Sequence, residues 1–592
     1  MQAWLPKAPP IIYRHKIKPA RIALTGLAVL SLLSVDIGLA VSQAEARSAA
    51  SNKPAGKPMT GQASSTRIVR PELLEKNSRE GIAHLLNRIT FGLKPGDVEK
   101  VQALGEERYL REQLSPDSIA MPDSVAQVAQ APALSENPVA LFINYGRPAL
   151  KALSQGQGNT EADKKALGKI VKDTYGKIYE DSAQANLTRA IESPRQLQEV
   201  MTDFWFNHFN VSSDKGLDHI WIGQYQESAI RPYALGRFRD LLGATAHHAA
   251  MLFYLDNWQN TKASFTPAGN NAKGRFKGIN ENYARELMEL HTLGVDGGYT
   301  QKDVQELARV LTGLGLPPGA GGGFGQRNQQ DRQAMLAQFR NGQGGGRFQR
   351  GIQNYAPDPS AQSIPGDNKS GSYFDARRHD TGTKVIVGHT IQGAGEREIE
   401  EVLDVLARHP STAHHISYQL AQYFVADKPP ESLVKKMAAT FTRTDGQISE
   451  VLRTLFESDE FWSSQYANNK FKSPYRYVVS SFRATDAKIV NVLPVLNLLK
   501  QAGQPLFKCL TPDGYKNTQE AWLNPDSLIN RLNFATALGA NKLPGVQVQD
   551  DGSGDISDCL ALVSEKTVSA IEQAQPKLRQ SLVIGSPEFM MY

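Results

Sequence analysis

Four side chains carry the chemistry that this sequence can be read for: His208, Asp256, Glu286 and Glu289. Two of them stand three apart in NENYARELMELHTLG (280–294), a run whose apolar residues recur at helical spacing. On a helical wheel Asn282, Glu286 and Glu289 share one side, while Tyr283, Leu287 and Leu290 share another with Ala284, Met288 and His291. Glu286 and His291 then lie about 140° apart, so this helix alone does not present both to one metal ion. They are five apart, not the three of the Glu-x-x-His pairs found in di-iron bundles. The carboxylate face is either a solvated stripe beside a core histidine or the partner of polar groups on a neighbouring helix.

Two more segments supply polar groups within apolar surroundings. FWFNHFN (204–210) is apolar nearly all round, which marks a buried helix or helix end, and it would bury Asn207 and His208. A buried donor or acceptor left unsatisfied costs about 1–3 kcal/mol, so both need partners. In YLDN (254–257) Asp256 falls near the C-terminal end of an apolar helical run, where the helix dipole opposes a carboxylate and calls for a cation, metal or amide beside it. The candidate site is therefore His208, Asp256, Glu286 and Glu289, acting as acid/base groups or as ligands of a divalent metal. A structural hydrogen-bond network reads the same way.

Other combinations are weaker. His379-Asp380 could serve as base and orienter, although an aspartate that opens a turn explains the pair equally. His409-Pro410-Ser411-Thr412 reads as a helix start capped by the serine or threonine, with His414 and His415 in its early turns. There is no G-x-S-x-G elbow, no HExxH, no P-loop and no CxxC. The two cysteines, Cys509 and Cys559, are either a disulfide or two buried thiols; the bond would close a loop of about 50 residues and stabilise by roughly 3–4 kcal/mol. With +6 net charge on 592 residues and acids interleaved among the bases, the chain does not have the concentrated basic surface of a nucleic-acid binder.

The elements that position these residues are mostly helical. Ile82, Leu85, Leu86 and Ile89 follow i, i+3, i+4, i+7, and Thr300 with Asp303 makes a T-x-x-D start before Val304, Leu307, Ala308 and Leu311. Similar patterns fill 195–210, 218–256, 396–408, 411–425, 431–441 and 447–457. Strand-like alternation is confined to TKVIVGHTI (383–391) after the turn Asp380-Thr381-Gly382. Residues 315–372 are rich in Gly, Gln, Asn and Arg and read as a disordered insert; Val546–Asp555 reads as a second low-complexity stretch. At the start, Lys7, Arg14, Lys16, Lys18 and Arg21 precede the 14-residue mainly apolar run Ile22–Val35 and the A-x-A of Ala44–Ala46, the layout of an export signal. The expected division is a signal peptide at 1–46, a disordered lead at 47–70, a helical domain in two parts at 71–314 and 373–592, and the insert between them. No later run is long enough to span a membrane.

Eight separated segments resemble, in order, the exported bacterial family catalogued as domain of unknown function 1800. They are HLLNRITFG (84–92), FWFNHFN, YLDN, the run from Asn280 to Gly313, HDTGTKVIVG (379–388), RHPSTAHHIS (408–417), TDGQISEVLRTLF (444–456) and GQPLFKCLTPDGY (503–515). The resemblance implies a periplasmic or secreted protein and no particular reaction, and it suggests a sulfatase-like exported protein as a partner. Two functions stay open: a cell-envelope enzyme built on the buried carboxylate and imidazole groups, with a divalent metal as a candidate cofactor, and a non-catalytic binding or assembly protein whose Gly/Arg-rich insert meets a partner or an envelope polymer.

Overall fold

Periodic apolar residues become helices where the sequence repeats them. In α1 (Arg79–Ile89) Ile82, Leu85, Leu86 and Ile89 are all buried, and the Ser78 hydroxyl accepts from Gly81 N to close the first turn. The computed structural model describes residues 72–149, 165, 168–266, 278–317, 369–548 and 556–592. The expected signal segment, the lead and most of the insert lie outside the described residues. Pro71–Tyr592 packs as one unit.

The elements that matter below are α2 (Gln196–His208), α3 (Ala249–Tyr254), α4 (Asn282–Glu289), α5 (Gln301–Val310), α6 (Arg397–Arg408), α7 (Pro410–Phe424) and α8 (Pro474–Ala484). The aromatic residues of α2 are its anchor: Trp205 is fully buried, donates Nε1–H to Ala234 O at 2.9 Å and packs against Phe209 and Phe238. Helix α5 begins with the expected capping box, in which Thr300 and Asp303 bond each other's backbone. Helix α4 is shorter than its pattern, ending at Glu289, and Glu281 gives it no side-chain cap. Helix α7 is capped by the His409 imidazole, which accepts from Ser411 N at 3.2 Å, with Pro410 in the first turn; Ser411 and Thr412, the expected caps, lie inside the helix.

Strands are short and antiparallel. β1 (Leu314–Gly315) pairs with β2 (Tyr373–Phe374), so the two ends of the 315–372 segment are held side by side. β3 (Lys384–Ile386) and β4 (His389–Ile391) form the expected hairpin. Its two-residue turn, Val387-Gly388, has positive φ at both positions (42° and 82°), which a β-branched residue tolerates poorly. β5 (Ala487–Ile489) pairs with β6 (Val546–Val548), so the start of the stretch read as low-complexity is a strand. Among the described residues no helix is long and apolar enough to cross a membrane. Both cysteines are buried, and no disulfide joins them.

A hydrogen-bonded acidic cluster fastens the hairpin to α6. The fully buried Glu398 carboxylate takes the Lys384 ammonium, His379 Nε2 at 3.1 Å, and the backbone N–H groups of Ala394 and Gly395. His379 Nδ1 faces Thr312 O at 2.8 Å. The sequence-adjacent Asp380 is not the orienter of His379. It accepts from Gly382 N, as a turn aspartate does, and pairs with Arg309 at 3.0 Å.

Candidate functional site

A cleft of about 280 Å³ opens where α2 meets α7, the start of α8 and the loop 503–522. Helix α2 gives it Asp203, Phe204, Asn207 and His208, which share a face at i, i+1, i+4 and i+5; α7 gives it His415, Gln419, Gln422 and Tyr423.

The segment FWFNHFN builds the cleft in three ways. Asn207 clasps the loop reciprocally: its Nδ2 donates to Tyr515 O at 2.8 Å and its Oδ1 accepts from Tyr515 N at 2.7 Å. Asn210 Nδ2 donates to Thr511 O at 2.8 Å and to Cys509 O at 3.2 Å. The loop comes this close because residue 514 is glycine: its φ is 66°, and a Cβ there would stand 2.3 Å from Asn207 O. His208 has a different task. Its Nε2 reaches His291 O at 3.1 Å and its Nδ1 meets the Gln419 carboxamide at 2.7 Å, while His415 Nε2 reaches Leu290 O at 3.3 Å. Two imidazoles from two helices thus satisfy carbonyls that α4 leaves unpaired at its C-terminal end. A carbonyl only accepts, so each of these Nε2 atoms is the donor. Burial, and then the neighbouring His415, lower the His208 pKa to about 3, so the ring is neutral. His291, buried near His208 and His415, is held well below the ordinary value for the same reasons.

The four residues singled out by sequence are only partly gathered. His208 and Glu289 both line the cleft. Glu286 is not a lining residue; its pKa is raised by burial first and then by the adjacent Glu289 charge. Asp256 stands apart from the cleft lining, at φ 61°, and its carboxylate has the cationic partner that the helix end called for, Lys215 at 3.1 Å. Asn282, from the carboxylate face, donates to Leu255 O and so covers the end of α3. Among the described residues no three His, Cys, Asp or Glu side chains are arranged to hold a metal ion.

Sequence reasoning missed the most unusual group in the cleft. Asp203 lies one residue before FWFNHFN, and its carboxyl makes no hydrogen bond among the described residues. Burial raises its pKa to about 7, against the opposing pull of Arg476. Arg476 comes from α8 and is held in place. Its Nη2 donates to Asn87 O, Arg88 O and Thr90 O at 2.7–3.0 Å, its Nη1 donates to the Tyr423 hydroxyl at 3.1 Å, and it lies 4.0 Å over the Tyr592 ring. Tyr475, beside it, donates to Asn186 Oδ1 at 2.7 Å. At the loop wall Phe507 is held at φ 59°, a left-handed conformation that aromatic residues rarely adopt. The only sequence signal for Asp203 was a carboxylate on the face of a helix otherwise buried.

The fold and cleft define a helical protein with a polar, aromatic-walled pocket at a seam of helices. The chain belongs to the family described as protein of unknown function (DUF1800), which it matches over residues 84–591. No curated protein and no solved structure matches it. Four of the eight segments that carry the family resemblance, FWFNHFN, the run from Asn280, RHPSTAHHIS and GQPLFKCLTPDGY, contribute residues to this one cleft.

Proposed function

We propose that the cleft is the active site of an exported cell-envelope enzyme and that Asp203 is its proton-transfer group. The observation that carries this reading is a carboxyl in the wall of a cleft that makes no hydrogen bond among the described residues and whose pKa burial raises to about 7. A group poised near pH 7 can take a proton from water or a hydroxyl and return it to a leaving group. In the same lining, the Tyr423 hydroxyl accepts from Arg476, which leaves its own proton to donate to an oxygen that gains charge. A base and a donor facing one space are the minimal parts of a hydrolytic site. His208 and His415 act at one remove, by fixing the end of α4 that carries Glu289 to the wall. Export rests on the basic segment, short apolar run and A-x-A site of residues 1–46.

Purified protein is incubated with envelope polymer, both sacculi and envelope polysaccharide, and soluble ends are counted. Release by the natural protein and a 10²–10⁴-fold loss in Asp203→Asn is the expected result. No release, or equal release by the variant, overturns the reading. A second reading, binding without turnover, is favoured by the apolar residues exposed at the cleft: Val295 in its lining, and Leu510 next to lining Cys509. Under that reading both proteins retain the polymer equally and release nothing.

A further inference from the structure

The charged groups of the cleft lining differ in how they are paired. Its cations are already engaged: Arg476 by three carbonyls and the Tyr423 hydroxyl, Lys508 by Asp214 at 2.6 Å, and Lys516 by Asp513 at 2.6 Å. Each of these cations already has a partner that an anionic ligand would have to share. Of the lining acids, Asp513 is paired with Lys516, but Asp203 is in a different condition. Asp203 has no hydrogen-bond partner among the described residues, and Glu289 stands in the same lining with Glu286 behind it. The acidity of Glu286 is weakened by Glu289 and, less, by Asp513, so the negative charges on this side act on one another. The rings of Phe204, Tyr423, Tyr475 and Trp522 belong to the same lining, and an aromatic face attracts a cation.

We propose that the cleft contains a subsite for a protonated primary amine, with Asp203 as its counter-ion and the surrounding rings as its walls. The inference rests on the reading of the cleft as the working site and adds the chemical class of group it receives. The groups facing Asp203 from the packed elements are Arg476 and Tyr475 of α8 and Tyr423 of α7. Arg476 opposes the incoming charge, but its Nη2 is committed to three carbonyls and its Nη1 donates to the Tyr423 hydroxyl, and among the described residues none of its donors, the unpartnered Nε–H included, hydrogen-bonds Asp203. An amine supplies the donors that the carboxylate does not have among the described residues.

The test compares n-butylammonium with n-butanol, which have the same alkyl chain, by chemical-shift titration of the full protein near pH 8. The amine is expected to bind about tenfold or more tightly than the alcohol. Asp203→Asn is expected to bring the ratio close to one, and Asp203→Glu, which keeps the charge, to retain a preference. Equal binding of the two probes, failure of both to bind, or a preference that survives Asp203→Asn overturns the proposal. The outcome separates from that of the enzymatic reading. Amine preference without polymer release leaves the subsite standing and removes the enzyme, and release without amine preference does the reverse.

Discussion

Two polar clusters in this molecule look alike in composition and differ in condition. Around Glu398, an acid, a lysine and a histidine are sealed in the interior, and both carboxylate oxygens have donors. Around Asp203, an acid, an arginine and two tyrosines border a cleft, and the acid alone makes no hydrogen bond among the described residues. The first arrangement is how a fold fastens a hairpin to a helix. The second tolerates a carboxyl that burial disfavours in its charged form, which structural packing alone would not call for. Burial of polar groups is common to both, so it is the unmet hydrogen-bonding capacity next to open space that separates a site from a staple.

The comparison breaks most visibly if the staple is cut. Glu398→Gln leaves the Lys384 ammonium buried without its counter-ion and should cost about 3–5 kcal/mol in denaturant unfolding, with unchanged polymer release per folded molecule. Asp203→Asn should do the opposite. Because the folded pKa of about 7 lies above the ordinary value of 3.8, the natural acid imposes no penalty below about pH 4, an increasing one between 4 and 7, and the full one above. The variant should therefore be more stable by roughly 2–3 kcal/mol at pH 8 and indistinguishable at pH 3.5, while losing activity. Equal stability at pH 8 would mean that Asp203 is not strained and would remove the contrast.

The buried histidines sharpen it from the acid side. His84 and His208 have folded pKa values of about 3 against 6.5, so their stabilisation is present above pH 6.5 and is lost as pH falls toward 3. Each should cost on the order of 2 kcal/mol at pH 5. Calorimetry in buffers of different ionisation heat should show proton uptake on unfolding near pH 5.5, and Asp203→Asn should raise that uptake by close to one proton, since Asp203 releases one there. The smallest effect lies in the hairpin. Val387→Asn relieves a β-branched residue at φ 42° and should gain about 0.5–1 kcal/mol in thermal unfolding, without touching the cleft.

Much of the helical fold was legible because it depends on local repetition: the apolar stripes of α1 and α5, the Thr300–Asp303 box and the 384–391 hairpin each carry their own signal within a dozen residues. The misses have non-local or unusual causes. β6 has three residues and a partner strand some sixty positions earlier, so neither half reads as a strand alone. The cap of α7 is an imidazole, outside the usual set of serine, threonine, aspartate and asparagine. At the cleft, the need of Asn207 and His208 for partners was readable from their apolar surroundings, and the partners came from the 503–517 loop, α7 and the residues after α4. Asp203 was not readable. Its chemistry comes from burial beside Arg476 and Tyr423, which lie more than two hundred residues away, and on its own helix it is an ordinary acid.

The asparagine clasp also sets a timetable. Asn207 grips Tyr515 across 308 positions of chain, and Arg476 reaches back 386 positions to Thr90. Contacts so distant in sequence form late, since a long loop must close before they reward it. The cleft therefore cannot mature on the growing chain while its last wall is still unmade, and the earlier helices must wait with the cleft-facing side of FWFNHFN uncovered. Such exposed aromatic surface is what chaperones recognise and what aggregates when they are scarce. A chain truncated just before Gln504 would keep most of its helices and lack the loop wall of the cleft.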